Sequence, residues 1–405
     1  MRPGALTRPG RWIRTAFWLW PVLACAAPVE EPCTGVGALL PFTGGLASAA
    51  TNIERALLLA AEEVSAAGGV SGQPVCVHSA DTRSDLRQGL QATRELLGYH
   101  AVQALFGPQE DDLALRSLDL IRERRVVTIS GGVTAPTLRF ARDDGLWFRT
   151  VPSAVVLGPA LARRMLEDGV RRMSVIYEGD EFGSGWATVL QVSFTTFGGT
   201  SHGIFSFTRD LKSFSDVLQR AFSPEVEAVA LVASPAVGAR IVEEWATSVR
   251  GKRWYFVPSL TDPVFVENIP PGSVDGMTGI SPALGSEAGA FSRVFAERWQ
   301  GEPPSRAAHF YYDALLLWAL ARELAGSQHA VVEAAHVVEA LHQVSTPPGE
   351  PVSFRELGRA FDLVRAGQDI DLTGASGAVD LDAYGDVSGD QYEFWTIDQG
   401  QVVYP

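Results

Sequence analysis

Lysine occurs only at Lys212 and Lys252 and asparagine only at Asn52 and Asn268, and just three cysteines are spread over 405 residues. Arginine supplies almost all the positive charge, so the first two scarcities reflect genomic base composition and bear on no function. The cysteines form no CxxC pair and no Cys/His cluster, which leaves no framework for a metal. Positive charge is itself the minority sign, 33 Lys plus Arg against 47 Asp plus Glu, for a net charge of −14. That balance argues against a nucleic-acid surface and weakly against a polybasic membrane patch. The chain carries no G-x-S-x-G elbow, P-loop or HExxH, and its seven histidines are scattered, so no enzyme is expected. Gly183-Ser184-Gly185 lacks the spacing of a nucleophile elbow, and Ser184 reads as a helix N-cap. What is present is ample material for a core: 46% hydrophobic residues, 20% charged, and length for one or two globular domains.

The first residues read as a targeting segment. Arg2, Arg8, Arg11 and Arg14 precede an apolar stretch over 15–24 that is too short to span a bilayer, which predicts a signal peptide over 1–24. Val22-Leu23-Ala24-Cys25 resembles a bacterial lipobox, predicting a lipid anchor on Cys25 and a short linker over 25–33, with ordinary signal cleavage nearby as the alternative. No other apolar run of membrane-spanning length is present. With Cys25 acylated, Cys33 and Cys76 remain as an even pair in an oxidising compartment. They form either a disulfide or two buried free thiols.

From Val36 onward, short apolar runs alternate with longer amphipathic stretches, which predicts βα units and parallel sheets. A strand over 36–40 ends in the turn-rich Pro41-Phe42-Thr43-Gly44-Gly45. Thr51-Asn52-Ile53-Glu54 predicts a capping box opening a helix with Ile53, Leu57, Ala60, Ala61 and Val64 on one face. Strands at 75–77, 104–106 and 126–129 continue the pattern, which restarts after 146–149 with strands at 173–177, 203–207, 228–232 and 254–257. Helices at 288–298, 306–324 and 331–341 precede a Gly/Asp-rich tail. Two such sets predict an α/β chain of two doubly wound lobes. The Asp spacing of the tail, from Asp380 to Asp386, lacks the order of an EF-hand loop, so no calcium site is expected.

A series of short motifs carries a resemblance. Leu40-Pro41-Phe42-Thr43-Gly44, the segment from Ala67 to Pro74, Asp81, Gly107-Pro108, Val133-Thr134-Ala135-Pro136, Phe148-Arg149-Thr150, Glu181-Phe182-Gly183 and Tyr312-Asp313-Ala314 occur in order. Together they resemble the leucine/isoleucine/valine-binding family, the type I periplasmic binding proteins of branched-chain amino-acid ABC transporters. The resemblance runs from Val36 to the C-terminus. It implies two Rossmann-like lobes joined by three crossovers near 150–154, 278–282 and 366–376, so that 34–152 plus 280–365 form lobe 1 and 153–279 plus 366–405 form lobe 2. It further implies a monomeric lipoprotein without cofactor on the periplasmic side of a bacterial membrane, taking an amino acid or analogue between its lobes and passing it to ABC permease subunits. A regulatory or scaffolding lipoprotein that binds a protein partner with the same fold is the alternative.

The same resemblance implies a set of ligand-binding positions: Gln109, Glu110, Asp111, Gly132, Val133, Thr134, Ala154, Phe182, Ser234 and Ser259. Amino-acid binders have a serine where this chain has Asp111, and a carboxylate facing a ligand carboxylate is repulsive by on the order of a kcal/mol or more. Thr134 keeps the family's head-group position, and Phe182 the aromatic that closes over the ligand. The acidic residues that fix a ligand ammonium fall at Ala154 and Ser259, and neither is acidic here. Ser234 and Ala49 stand where some members have aromatic residues. A non-standard ligand, an amino acid whose ammonium is taken by Asp111, and a cleft that holds nothing small are the three readings. Each residue also has an ordinary role open to it: acids at a helix start serve the dipole, Thr134 serves as a cap, and Phe182 as core. Phe310, Tyr311 and Trp318 read as core of one helix.

Overall fold

Seven residues over Thr34–Leu40 form β1, and all but one of them are buried, the mark of a strand covered on both faces. The computed structural model describes Met1, Gly4 and residues 32–98, 102–248, 252–389 and 391–404. The signal peptide, the Cys25 anchor and most of the 25–33 linker lie outside the described residues. Residues 33–405 make one compact unit of two lobes.

In the first lobe β1 is followed by α1 (Ala50–Ala66), β2 (Val75–Asp81), α2 (Leu86–Gly98), β3 (Ala104–Phe106), α3 (Asp111–Arg124), β4 (Val127–Ser130) and β5 (Trp147–Arg149). The second lobe runs α4 (Ala154–Glu167), β6 (Arg172–Glu178), α5 (Glu181–Thr196), β7 (Thr200–Phe207), α6 (Ser215–Ala221), β8 (Ala228–Val232), α7 (Pro235–Ser248), β9 (Arg253–Phe256), α8 (Pro263–Val266) and β10 (Thr278–Pro282). The chain then returns to the first lobe with α9 (Ala288–Arg298), α10 (Arg306–Gln328), α11 (Ala334–Ser345), β11 (Glu350–Ser353), α12 (Leu357–Arg365) and β12 (Ile370–Thr373). It ends in the second with β13 (Tyr392–Asp398) and β14 (Gln401–Val403).

The first sheet is parallel with order β2-β1-β3-β4-β5, and the second has order β14-β13-β10-β9-β8-β6-β7, with β13 and β14 antiparallel at its edge. In each lobe the opening strand has neighbours on both sides, so the chain winds both ways from it. A crevice opens where the order reverses, at the carboxyl ends of β1 and β3 and of β6 and β8. The 23-residue α10 is buried almost all round and fills the centre of the first lobe's core, against α1, α11 and α12. Cys33 and Cys76 are joined by a disulfide that ties the start of β1 to β2.

Three expectations need correction. The capping box does not form, because α1 begins earlier, at Ala50, out of a 3-10 turn, and Glu54 instead accepts the Ser79 hydroxyl. Ser184 is not an N-cap: Asp180 caps α5 by accepting the Gly183 amide at 2.8 Å, and the Ser184 hydroxyl donates to the Asp180 carbonyl one turn back. Two crossovers fall later than expected. β10 pairs with β9 and β13, so it stays in the second sheet to Pro282, and Ile370, Leu372, Val379 and Val387 stay in the first lobe's core, which delays the last crossing to just before β13. Residues 150–153 connect β5 to α4. Neither β11 nor α12 is anticipated by the sequence pattern.

Candidate functional site

The two switch points face one another across a cleft of 1090 Å³ lined from both lobes. From the first lobe, the turn after β3 and the first turn of α3 supply Gln109, Glu110, Asp111 and Asp112, and the loop after β4 supplies Gly131, Gly132 and Thr134. From the second come Glu178 at the end of β6 and Asp180 after it, Phe182, Arg209 after β7, Ser234 after β8 and Ser259 after β9.

Ser130 shapes the loop after β4. Its hydroxyl donates to the Pro108 carbonyl at 2.8 Å and accepts the amides of Gly132 and Val133 at 3.2 and 3.1 Å. Gly131 has to be glycine, since a Cβ there would lie 2.8 Å from the Tyr311 ring. The next two amides, of Thr134 and Ala135, both point at Asp111 Oδ1, at 2.9 and 2.6 Å. Beneath them the fully buried Arg149 donates to the Ala135 carbonyl at 2.7 Å and to Asp386 at 2.7 Å, fixing the loop to the tail. Burial pushes the Asp111 carboxyl up to about 7, with the two amides and Arg149 opposing.

Eight of the ten sequence-predicted positions line the cleft: Gln109, Glu110, Asp111, Gly132, Thr134, Phe182, Ser234 and Ser259. Val133 and Ala154 do not. Val133 is fully buried in the first lobe's core and Ala154 in the second's, each turned inward by its place in the loop or helix start. Asp111 is more than a dipole partner, because its carboxylate occupies the amide of Thr134, the family's head-group position, together with that of Ala135. The Thr134 hydroxyl accepts the Trp186 indole N–H at 3.0 Å. Phe310 reaches the cleft wall, whereas Tyr311 lines the loop from below and Trp318 is core.

Charge in the cleft is one-sided. Asp85, Glu110, Asp111, Asp112, Glu178, Asp180 and Asp262 line it, against Arg209 and Arg306. Arg209 pairs with Glu178 and, at 2.8 Å, with Asp180. Arg306 pairs with Glu393 and donates to the Tyr404 hydroxyl at 3.0 Å. Burial pushes Asp180 up to about 6, helped by the charge of Asp112 from the opposite lobe. Glu178, at 2% exposure, accepts the Ser234 amide at 2.8 Å. Sequence reasoning does not reach Arg209, Glu178, Asp180, Asp262 or Arg306. Only Asp180 carries a usable signal, as the residue just before the Glu181-Phe182-Gly183 motif. Arg209 and Asp262 sit in loops without periodicity, Glu178 ends a strand, and Arg306 opens a helix and pairs across a crossover.

The lobes also touch beside the cleft. Asp112 accepts the Glu181 amide at 3.4 Å, and Ser48 donates to Asp262 at 2.6 Å. The Asp382 and Asp386 carboxylates of the tail are spent on Arg139 and Arg149.

Known proteins resemble the chain in sequence and in fold. It is 25% identical over 364 residues, 87% of its length and 84% of the relative's, to the chemotactic signal transduction system substrate-binding protein BasB of Halobacterium salinarum. It is 24% identical over 204 residues to the Leu/Ile/Val-binding protein BraC3 of Rhizobium johnstonii, covering half of this chain and 55% of that one. The fold matches a leucine-binding protein, LivK, from Thermotoga maritima with a TM-score of 0.77 at 20% identity, over 92% of this chain and 97% of that one. Residues 34–371 match the family model described as periplasmic binding protein, and the chain belongs to that family.

Proposed function

We propose that the protein is an extracytoplasmic solute-binding protein that takes a small ligand into the cleft between its lobes and presents the closed form to ABC permease subunits, anchored to the membrane by lipid on Cys25. The observation that carries this is the cleft itself: 1090 Å³ at the facing switch points of two doubly wound lobes, with polar groups converging among apolar walls. Closure follows from differential affinity, since a ligand touching both lobes binds the closed state more tightly than the open one. The lipobox-like run Val22-Leu23-Ala24-Cys25 supports the anchor, and among the described residues no helix is long and apolar enough to cross a membrane. The relative BasB is named for chemotactic signalling, so a receptor in place of a permease is a second reading of the same capture step.

Thermal stabilisation tests the capture step. A ligand at a hundredfold excess over its dissociation constant adds about 2.7 kcal/mol to stability. A rise in melting temperature with a specific small molecule is expected, and none across amines, acids, amino acids and amides would refute the reading.

A further inference from the structure

We infer that the ligand is an organic cation, an ammonium or guanidinium on an apolar body, because the head-group cradle of the cleft is already filled by the chain's own Asp111 carboxylate. This rests on the solute-binding reading and narrows it. The Thr134 and Ala135 amides converge on Asp111 Oδ1 at 2.9 and 2.6 Å, and the Thr134 hydroxyl is engaged by Trp186. A ligand carboxylate entering there finds both amides satisfied and a like charge in its place.

The rest of the lining agrees. Seven carboxylates face two guanidiniums, and both guanidiniums already have carboxylate partners. Glu110 is held by neutral donors, the Thr82 hydroxyl and the Gln109 amide, and Asp112 accepts the Glu181 amide. Arg209 is the one guanidinium near this group and its ion pairs go to Glu178 and Asp180, so a cation held at Glu110 and Asp112 would compensate two carboxylates that have no ion pair of their own among the described residues. Phe182, Phe310, Leu113 and Pro235 offer the apolar wall for the body that carries it.

The test uses matched probes on the intact chain, by calorimetric titration and thermal unfolding: isoamylamine, isocaproate and leucine; phenethylamine, hydrocinnamate and phenylalanine; cadaverine, agmatine, lysine and arginine. The expected result is that an amine or guanidine lacking a carboxylate binds at least about tenfold more tightly than its amino acid, a difference of about 1.4 kcal/mol, and that the acids give no shift. Asp112→Asn is expected to weaken the preferred cation about tenfold by the same measure while leaving the melting temperature of the free protein near that of the parent. An acid or amino acid binding as tightly as its amine, or an unchanged cation affinity in Asp112→Asn, overturns the cation assignment and leaves solute binding standing. Silence from every probe overturns the cation assignment, and silence from amides as well overturns solute binding.

Discussion

The Trp186 indole donates to the Thr134 hydroxyl across 3.0 Å, joining the core of the second lobe to the head-group loop of the first. Trp186 is fully buried on α5, one residue after Gly185, which packs against the Pro136 ring. The same helix therefore carries both the polar and the steric contact that set how closely the lobes approach.

A Cβ on Gly185 would lie 2.6 Å from Pro136 Cδ, closer than a rigid ring permits. Gly185→Val is expected to hold the lobes apart. Small-angle scattering should give a larger radius of gyration than the parent's and weaker binding of any ligand that touches both lobes. Unchanged scattering would remove Gly185 from closure.

Arg149 is wholly buried, with its guanidinium on Asp386 and on the Ala135 carbonyl. Arg149→Met leaves the nearly buried Asp386 with only the Arg139 contact at 2.9 Å. Urea unfolding should show a loss of about 3–5 kcal/mol, the cost of breaking a buried pair. Arg149→Lys should not restore it, since an ammonium cannot bridge both acceptors in the guanidinium's fixed fork. A loss below about 1 kcal/mol, the range of an exposed pair, would contradict this.

Asp313 on α10 is buried and accepts from the Ala375 amide and from both the amide and hydroxyl of Ser376. Burial raises its carboxyl from 3.8 to about 7. The folded state then binds this proton more tightly than the unfolded state, so the contribution to stability is complete below 3.8 and is lost as pH rises through about 7. Asp313→Asn titrates in neither state. Its melting temperature should fall less steeply than the parent's between those limits in scanning calorimetry, and parallel curves would exclude the assignment.

Much of the architecture is legible in the order of residues alone. Period and turn residues place the strands of both lobes, because buried parallel strands are short apolar runs between turns, and the ordered motifs place Thr134, Phe182 and Asp111 at one cleft. The failures have physical causes. Val133 and Ala154 are neighbours of lining positions, and sequence alone does not say which way a loop side chain turns. The tail over 366–388 is rich in Gly and Asp like a linker, yet Ile370, Leu372 and Val379 bury themselves in the first lobe, which moves the last crossover. Arg209 meets Glu178 and Asp180 only through tertiary approach, a relationship without local spacing.

Asp111→Ser removes the carboxylate that holds the Thr134 and Ala135 amides and leaves them open to an added one. Its melting temperature in rising sodium formate, set against sodium chloride at equal ionic strength, reads out whether Asp111 fills a carboxylate cradle. Formate should raise the melting temperature of the variant and leave the parent unmoved. An equal response of the two proteins would mean that the cradle is not what Asp111 occupies.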